Sequence, residues 1–322
     1  MSSATFTRRG FLETGAAALG VAVIEAIPAL GRAAEPSGQP ARAAGTFLLG
    51  GDLAVRRMGF GAMRVTGPGI WGDPPDPAGA RKLLRRTVDL GVNLLDTSDA
   101  YGPEVSERLI CEALHPYPKD LVIATKGGLT RPSRERWDHD ARPQHLRQAC
   151  EASLRRLRLE RIDVYQLHAP DPKVPLADSM GELGRLQREG KIRHVGVSNV
   201  SVDELRLARS IVKVVSVQNR YNVGDRRSED VLGVCAVEGI AFLPWAPLAG
   251  REREASRSGS VEVLGQLARQ RGITETQAAL AWLLARSPVL LPIPGTSSMA
   301  HLEENVAATG LRLTPEELKR IG

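Results

Sequence analysis

The sequence predicts an α/β protein, a (β/α)₈ barrel with an N-terminal β-hairpin. After residue 58, short apolar runs alternate with amphipathic helical segments, and eight such β-then-α units can be counted. Units of this kind, spaced by about 30 residues, form parallel sheets. Eight of them suit a closed barrel, whose active site lies at the carboxyl ends of the strands.

A doubly wound sheet is the alternative architecture. A nucleotide-binding version of that fold carries G-x-G-x-x-G where its first strand passes into a helix. Here the first strand contains Gly59 and Gly61, but Ala62-Met63-Arg64 follows and the third glycine is missing. This absence favours the barrel.

The elements follow from apolar periodicity and turn residues. Residues 47–49 and 53–55 flank a Gly-Gly-Asp turn and predict the hairpin. Helices are predicted where apolar residues recur at helical spacing, often behind a capping residue or proline. The predicted strands are residues 58–61, 93–96, 121–126, 162–168, 192–197, 214–218, 240–244 and 289–293. The predicted helices are residues 77–90, 104–114, 143–157, 177–187, 201–210, 229–238, 255–271, 275–285 and 299–308, with a last one beginning at residue 314.

The first 45 residues differ in character from the rest. Residues 7–12 read Thr-Arg-Arg-Gly-Phe-Leu, and a weakly apolar, Gly/Ala-rich stretch and small residues follow. This pattern predicts a twin-arginine-type signal segment at residues 1–34, with an amphipathic extension as the alternative. Glu25 and Pro28 make the stretch a poor membrane span. We therefore expect a leader at 1–34, a linker at 35–45 and the barrel at 46–322.

The leader sets the expected location and one expected partner. A working signal of this type would send the protein through the twin-arginine export machinery to the periplasm or beyond. Without a working signal the protein would stay in the cytoplasm. We expect no stable membrane span, and the sequence does not indicate an oligomeric state.

Composition excludes several classes of function. The net charge of +6 is spread over 322 residues, and no basic run with interleaved aromatic residues suggests nucleic-acid binding. Cys111, Cys150 and Cys235 are widely spaced, and no Cys or His cluster has zinc spacing. We predict buried thiols, no disulfide framework and no metal site.

Polar residues follow the apolar runs at several strand ends. Strand two ends in Asp96 and is followed by a loop with Tyr101, strand three ends in Lys126, and strand four ends in His168. Each residue alone has an ordinary structural use in a turn or at a barrel rim. Because strands two to four are neighbours in a barrel, these four side chains are expected to lie together at one rim.

The set has a chemical logic. A nearby ammonium such as Lys126 favours the phenolate of Tyr101 and makes the phenol a better proton donor. Asp96 can hold Lys126 in place and keep it charged, and His168 can orient a carbonyl oxygen. The group suits proton transfer to a developing alkoxide.

These residues resemble the aldo-keto reductase family, and the bacterial pyridoxal reductase-like group in particular. The resemblance extends from about residue 47 to the C-terminus. It is carried by motifs that fall in the family's order on the expected strands: residues 93–102, 124–126, 167–168, 196–199, 218–219, 293–296 and 304–305.

The resemblance implies hydride transfer between a nicotinamide and a small-molecule carbonyl substrate on a barrel that binds NADP(H) without a Rossmann motif. Tyr101 is the implied proton donor, assisted by Lys126, His168 and Asp96. Trp245 stands where the family usually has a tyrosine that stacks on the nicotinamide. The implied cofactor-binding residues are Gly61, Met63, Ser198, Asn199, Gln218, Trp245, Pro247, Leu248, Gly295, Thr296, Ser297, Ser298, Glu304 and Asn305.

The chain departs from the family where the adenosine 2′-phosphate is bound. The family often has Lys or Arg just after the Gly-Thr, whereas here Ser297 and Ser298 follow Thr296. Hydroxyls at a helix N-terminus can bind phosphate without a permanent charge. We therefore expect NADP(H) while leaving NAD(H) open.

Two tryptophans on loops, Trp71 and Trp137, are candidates for substrate contacts, although each could equally pack against the rim. Two other functions stay open at this point. A dinucleotide-binding redox sensor or scaffold would hardly turn the cofactor over, although such a binder has no need of Tyr101 and His168. A sugar isomerase or aldolase is disfavoured, because the expected metal ligands are missing.

Overall fold

The computed structural model describes residues 38–248 and 259–322. Seven strands form one parallel sheet, and their order across the sheet is 241–242, 214–218, 192–198, 162–167, 122–127, 94–96 and 60–61. With helices between its strands, the sheet has the α/β architecture of a (β/α)₈ barrel, which confirms the predicted fold class. The strands of this sheet are β3 (Phe60–Gly61), β4 (Leu94–Asp96), β5 (Val122–Gly127), β8 (Ile162–Leu167), β9 (Ile192–Ser198), β10 (Val214–Gln218) and β11 (Ala241–Phe242).

The predicted eighth strand, residues 289–293, does not form a regular strand. Leu290 makes a single parallel bridge to Phe242, and on the other side Pro292 accepts a hydrogen bond from the Gly59 N–H at 2.9 Å. Pro292 and Pro294 have no N–H to donate, so a continuous ladder cannot form here. The segment nevertheless joins the two edges of the sheet and closes the barrel.

The predicted hairpin is present as β1 (Thr46–Leu49) and β2 (Leu53–Arg56), an antiparallel pair. Leu49, Leu53 and Val55 belong to the same buried cluster as barrel-interior residues such as Val164. At its turn Asp52 pairs with Arg193 and His194, which lie at the start of β9. The hairpin therefore covers the amino-terminal end of the barrel and leaves the opposite end for the site.

The helices lie close to their predicted bounds where the structure describes them, and residues 255–258 of the predicted helix 255–271 lie outside the described residues. Several of their starts carry side-chain caps, for example the reciprocal bonds of Ser201 with Glu204 and of Thr274 with Gln277. The outer helices are α1 (Pro77–Asp89), α2 (Val105–Leu114), α3 (Pro143–Leu157), α4 (Leu176–Arg188), α5 (Val202–Ile211), α6 (Glu229–Glu238), α7 (Gly259–Arg271), α8 (Glu275–Arg286), α9 (Met299–Ala307) and α10 (Pro315–Ile321).

Two segments have more structure than predicted. The loop after β5 contains a short antiparallel pair, β6 (Leu129–Thr130) and β7 (Asp138–His139). Part of the predicted linker, Pro40–Ala44, is a 3₁₀ helix whose Ala41 donates its N–H to the Leu90 carbonyl at 3.1 Å. This part is packed because its small apolar side chains fit against the barrel.

Cys111, Cys150 and Cys235 are buried thiols. Among the described residues, no helix is both long and apolar enough to cross a membrane. The predicted leader, residues 1–34, lies outside the described residues.

Candidate active site

An ion pair between neighbouring strands forms the base of the site. Asp96 is the last residue of β4, and Lys126 is near the end of β5, which pairs with β4 in parallel register. The Lys126 ammonium donates to Asp96 Oδ1 at 2.7 Å and to the Thr97 carbonyl at 2.9 Å. Both side chains are almost completely excluded from solvent. The strand ends thus bring together the two residues as the sequence predicts.

The second carboxylate oxygen of Asp96 is held from across the barrel. Gln218, the last residue of β10, donates its amide N–H to Asp96 Oδ2 at 2.7 Å. The same amide nitrogen lies 3.3 Å from Gln166 Oε1 on β8. A buried carboxylate needs several donors to offset its lost hydration, and these contacts supply them.

Tyr101 lies on the loop after β4, beside the ion pair. Its hydroxyl is 3.3 Å from Lys126 Nζ, and the Lys126 ammonium is 5.1 Å from the ring centroid. Burial raises the pKa of Tyr101 above 10.0, and this effect outweighs the opposing influence of Lys126. The ammonium favours the phenolate as predicted, but the net direction is upward because the ring is desolvated. Tyr101 is therefore a protonated phenol at neutral pH.

Lys126 stays charged in this environment. Burial by itself lowers the pKa of Lys126, but the neighbouring Asp96 and Tyr101 oxygens outweigh it and raise that pKa above 10.5. A permanent positive charge within hydrogen-bond reach of a phenol can stabilise the phenolate once its proton has left.

His168 follows β8 and faces Tyr101, with the two ring centroids 5.8 Å apart and nearly perpendicular. Its Nδ1 lies 3.1 Å from Ser98 Oγ. Burial, together with the positive charge of Lys126, lowers the pKa of His168 well below 6.5. The imidazole is neutral at neutral pH, and Nε2 is the ring nitrogen left for a ligand.

These residues line a cavity of about 740 Å³ at the carboxyl ends of the strands. That volume is typical of a pocket for a cofactor or a small molecule. Its wall combines the polar residues with apolar and aromatic ones. The lining residues are Gly61, Met63, Arg64, Asp96, Tyr101, Leu129, Trp137, His168, Ser198, Asn199, Gln218, Arg220, Trp245, Ala246, Pro247, Leu248, Ile293, Pro294 and Gly295.

One wall of the cavity is a hydrogen-bonded set around Asn199. Its side-chain N–H groups donate to the His168 carbonyl at 3.0 Å and to Ser198 Oγ at 3.1 Å. Its Oδ1 accepts from the Trp245 indole N–H at 2.9 Å. Asn199 has a left-handed backbone (φ 58°), which asparagine tolerates better than most residues. These bonds fix the amide and the indole at the cavity wall.

Gly61 and Gly295 face each other where the barrel closes. A Cβ on Gly295 would lie 2.4 Å from the Gly61 carbonyl oxygen, and a Cβ on Gly61 would lie 2.7 Å from the Ile293 oxygen. Both glycines are thus required by close backbone approach at the cavity edge.

The predicted phosphate segment continues from Gly295 away from the cavity lining. Ser298 is the N-cap of α9, and its hydroxyl accepts from the His301 N–H. The Ser298 N–H donates to Thr296 Oγ1 at 3.0 Å, and Ser297 lies between these two residues.

Farther along α9, Glu304 accepts from the Thr274 hydroxyl at 2.6 Å, so it also joins α9 to the start of α8. Asn305, the next residue, is buried. The structure brings Gly295 into the cavity wall and leaves residues 296–298 and 304–305 beyond it.

The two tryptophans have different positions. Trp137 lines the cavity, with its ring centroid 6.3 Å from that of His168. Trp71 lies outside the lining, and its ring centroid is 5.5 Å from the Arg131 guanidinium. That guanidinium also stacks on Trp137 at 3.9 Å. Trp137 keeps the predicted position, whereas Trp71 packs behind it because Arg131 stands between them.

Several residues at the site were not predicted. Arg131 is buried and donates to the carbonyls of Ile70 and Arg134 at 3.0 and 2.6 Å, so it joins two loops. Ser98 also belongs to the site, because its Oγ lies 3.1 Å from His168 Nδ1. The contact between Ser98 and His168 depends on the path of a single loop, which no periodic pattern reports.

The chain is similar to known proteins over most of its length. The profile of the Aldo/keto reductase family matches residues 57–322. The chain belongs to this family. An uncharacterized oxidoreductase of Schizosaccharomyces pombe is 47% identical over 292 residues, 91% of this chain and 94% of that protein. Pyridoxine 4-dehydrogenase of Escherichia coli is 41% identical over 283 residues, 86% of this chain and 96% of that protein.

Solved structures place the reductase among cofactor-binding proteins. The aldo-keto reductase of Klebsiella pneumoniae in complex with NADPH has a TM-score of 0.72 and 28% identity, covering 86% of this chain and 93% of that one. Members of the family use NAD(P)H, and the family assignment makes this chain an oxidoreductase acting on small carbonyl compounds.

Proposed function

We propose that this aldo-keto reductase reduces an aldehyde or ketone to an alcohol with NAD(P)H, and that the Tyr101 hydroxyl is the proton donor. One observation carries the proposal. The Tyr101 hydroxyl lies 3.3 Å from Lys126 Nζ in the wall of a cavity at the carboxyl ends of the barrel strands. A buried phenol beside a fixed ammonium is equipped to give up its proton when an alkoxide develops next to it.

The chain's residues divide the work of proton transfer. NAD(P)H, when bound, supplies the hydride that reaches the carbonyl carbon. Tyr101 donates its proton to the carbonyl oxygen, and the Lys126 ammonium stabilises the resulting phenolate. Asp96 keeps Lys126 charged and in place through the 2.7 Å bond. The neutral His168 orients the carbonyl oxygen from the other side.

The cavity wall fits the nicotinamide end of the cofactor. The N–H groups of the Asn199 and Gln218 amides are already bonded, so their amide oxygens and the Ser198 hydroxyl oxygen would accept from the carboxamide. The Trp245 indole offers a flat face for the ring. Gly61, Met63, Pro247 and Leu248 also line the cavity. The residues of the 295–298 turn and of 304–305 would hold the adenosine half.

Cofactor preference follows from charge at the 2′ position. We propose NADP(H) as the cofactor, with the N-terminus of α9 and the hydroxyls of Ser297 and Ser298 binding the 2′-phosphate. Because these hydroxyls carry no permanent charge, discrimination against NAD(H) should be modest. Comparing kcat/KM for NADPH and NADH tests this point, and a strict preference for NADH would contradict it.

Pyridoxal is the first substrate to test. Two observations support it: the relative at 41% identity is named a pyridoxine 4-dehydrogenase, and Trp137 gives the cavity an aromatic wall. An aromatic side chain suits a planar aldehyde by stacking or edge contact.

The proposal is tested by following NADPH and NADH absorbance with a panel of aldehydes that includes pyridoxal. We expect aldehyde-dependent oxidation of the cofactor and formation of the alcohol. If protein shown to bind the cofactor oxidises it with none of the aldehydes, the reductase proposal fails. Tight retention of NADP(H) through purification with negligible exchange would then support the sensor or scaffold function.

Export remains a proposal that rests on the sequence alone. We propose that residues 1–34 direct the protein to the twin-arginine machinery, which would make it periplasmic or exported. Fractionation of cells that produce the full chain, compared with the Arg8→Lys/Arg9→Lys variant, tests this. Equal cytoplasmic retention of both proteins would contradict it.

A further inference from the structure

Ser98 lies between His168 and Asp99 and is fully buried. Its Oγ is 3.1 Å from His168 Nδ1 and 3.0 Å from Asp99 Oδ1. The backbone N–H of Ala100 also donates to this Oγ, at 3.1 Å. None of these contacts belongs to the proton-donating group of Tyr101, Lys126 and Asp96.

The hydroxyl has too few sites to satisfy both neighbours independently. A serine hydroxyl has one proton to donate and two lone pairs that accept. The Ala100 N–H occupies one lone pair, so one donor and one acceptor site remain for Asp99 and His168. If Ser98 donates to one of them, it must accept from the other.

Because His168 is neutral, the bonding of Ser98 decides which of its two ring nitrogens carries the proton. Its lowered pKa leaves the ring with a single proton at neutral pH. When the Asp99 carboxylate is ionised, Ser98 donates to it and accepts from His168 Nδ1–H, and Nε2 has no proton. When Asp99 carries a proton, it can donate to Ser98, Ser98 donates to Nδ1, and Nε2 carries the proton.

We propose that Asp99 and Ser98 are positioning residues that set the tautomer of His168, so that Nε2–H is available to a carbonyl oxygen while Asp99 is protonated. The inference rests on the proposed carbonyl reduction, because a carbonyl oxygen needs a donor at Nε2. No proton is gained or lost in the tautomer change apart from the one that Asp99 binds.

The surroundings of Asp99 place its titration near neutrality. Burial, followed by the negative charge of Glu107, raises the pKa of Asp99 from 3.8 to about 7, while the Ser98 hydrogen bond, the charge of Arg156 and the backbone N–H of Ala100 oppose the rise. Glu107 belongs to α2 and Arg156 to α3, and these two side chains pair at 2.7 Å. Asp99 also acts electrostatically on Tyr165 of β8 and on Tyr101.

Two of the groups that face His168 do not titrate near neutrality. Lys126 and Tyr101 have pKa values raised above 10. His139 of β7 also acts on His168 by its charge. Because His139 is an exposed histidine, His139→Gln is needed in the test to remove its contribution.

The first measurement is ¹⁵N NMR of protein with labelled histidine rings, in which His168→Gln identifies the His168 signals among the six histidines. We expect the proton on Nε2 at about pH 5.5 and on Nδ1 at about pH 8.5. Asp99→Asn can donate its amide N–H to Ser98 at every pH, so Nε2–H should persist. His139→Gln and Asp89→Asn, which removes an exposed carboxylate at the end of α1, should keep the switch.

The second measurement is the pH profile of kcat/KM for aldehyde reduction. In the unsubstituted protein kcat/KM should fall tenfold per pH unit above about 7. Asp99→Asn and Ser98→Ala should both abolish this alkaline limb, the fall of kcat/KM above about pH 7. Ser98→Thr, which keeps the hydroxyl, should retain it. A merely structural role for Ser98 or Asp99 would lower the rate without moving the limb.

The two readouts separate the Asp99–Ser98–His168 relay, in which protonation of Asp99 sets the His168 tautomer, from the reductase activity. A tautomer that is the same at both pH values, or that still switches in Asp99→Asn, overturns the relay even when aldehydes are reduced. A tautomer switch in protein that reduces no aldehyde supports the relay and counts against the proposed function instead.

Discussion

Lys126 and Asp96 form an ion pair whose Nζ and Oδ1 atoms are 2.7 Å apart, and both side chains are sealed from solvent. A buried pair of this kind is costly to disrupt, because removing one partner leaves the other charge desolvated and unpaired. Here the pair also supports the group that we propose transfers the proton.

Asp96→Asn should therefore impair both folding and turnover. We expect a loss of about 3–5 kcal/mol in the free energy of unfolding, since the ammonium of Lys126 loses its counter-charge. Adding Lys126→Met should recover part of the stability but none of the activity. Urea denaturation and aldehyde-dependent NADPH oxidation measure the two effects. Additive losses of stability in the double variant would show that the two charges do not depend on one another.

Trp245 should contribute to cofactor affinity through its flat face. Trp245→Ala is expected to weaken NADPH binding by about 10-fold or more, since an aromatic contact is worth roughly 0.5–1.5 kcal/mol beyond its buried area. Trp245→Phe loses the 2.9 Å bond to Asn199 but keeps an aromatic ring. It should therefore weaken NADPH binding less than Trp245→Ala does. Fluorescence titration with NADPH compares them. Equal affinities of Trp245→Ala and the unsubstituted protein would exclude this contact.

Arg131 should affect the KM for the substrate rather than the affinity for the cofactor. Its guanidinium stacks on Trp137 at 3.9 Å and joins the two loops that flank the cavity. Arg131→Met removes these bonds, so we expect KM for an aromatic aldehyde to rise about 10-fold, with little change in the Kd for NADPH. Arg136→Met, which removes an exposed arginine from the same loop, is the control. A parallel loss in both variants would point to general loosening of the loop.

The fold was predictable where a residue pattern repeats. The bounds of α3, β10 and α6 agree with the sequence prediction. Pro143 at the first position of α3 and Gly239, with its left-handed backbone just after α6, mark two of these bounds locally. The prediction of a regular eighth strand at residues 289–293 was wrong, because Pro292 and Pro294 have no N–H for the hydrogen-bond ladder although the segment is apolar. Within a regular strand the apolar pattern and the hydrogen-bond ladder agree, and at residues 289–293 they do not.

The candidate site was predictable to the extent that it sits at strand ends. Asp96, Lys126 and His168 meet because parallel strands bring their carboxyl ends to one rim. Contacts made by loop residues could not be derived in this way. The ring of Trp71 rests on Arg131 instead of the cavity, and Ser98 reaches His168, because both depend on how one loop folds over another.

Asp99 should make stability depend on pH. Its folded-state pKa of about 7 lies above the ordinary value of 3.8, so the folded protein binds this proton more tightly than the unfolded chain. The resulting stability is present below about pH 4 and is lost as the pH rises through about 7. Asp99→Asn removes this dependence, so its melting temperature relative to the unsubstituted protein should increase between about pH 4 and pH 8. Asp89→Asn is the control and should show no such increase. If the difference in melting temperature between Asp99→Asn and the unsubstituted protein is the same at every pH, Asp99 does not have the raised pKa.

The most direct test of the central claim is the rate of aldehyde reduction by Tyr101→Phe. This variant keeps the ring and loses only the hydroxyl that lies 3.3 Å from Lys126. Tyr117→Phe is the matched control, because the Tyr117 hydroxyl bonds the Leu157 carbonyl away from the cavity.

We predict that Tyr101→Phe binds NADPH with unchanged affinity and reduces the aldehyde about 10²–10⁴-fold more slowly, as expected when a general acid is removed. Tyr117→Phe should retain its rate. A Tyr101→Phe protein that turns over at a rate close to that of the unsubstituted protein would contradict the assignment of Tyr101 as the proton donor.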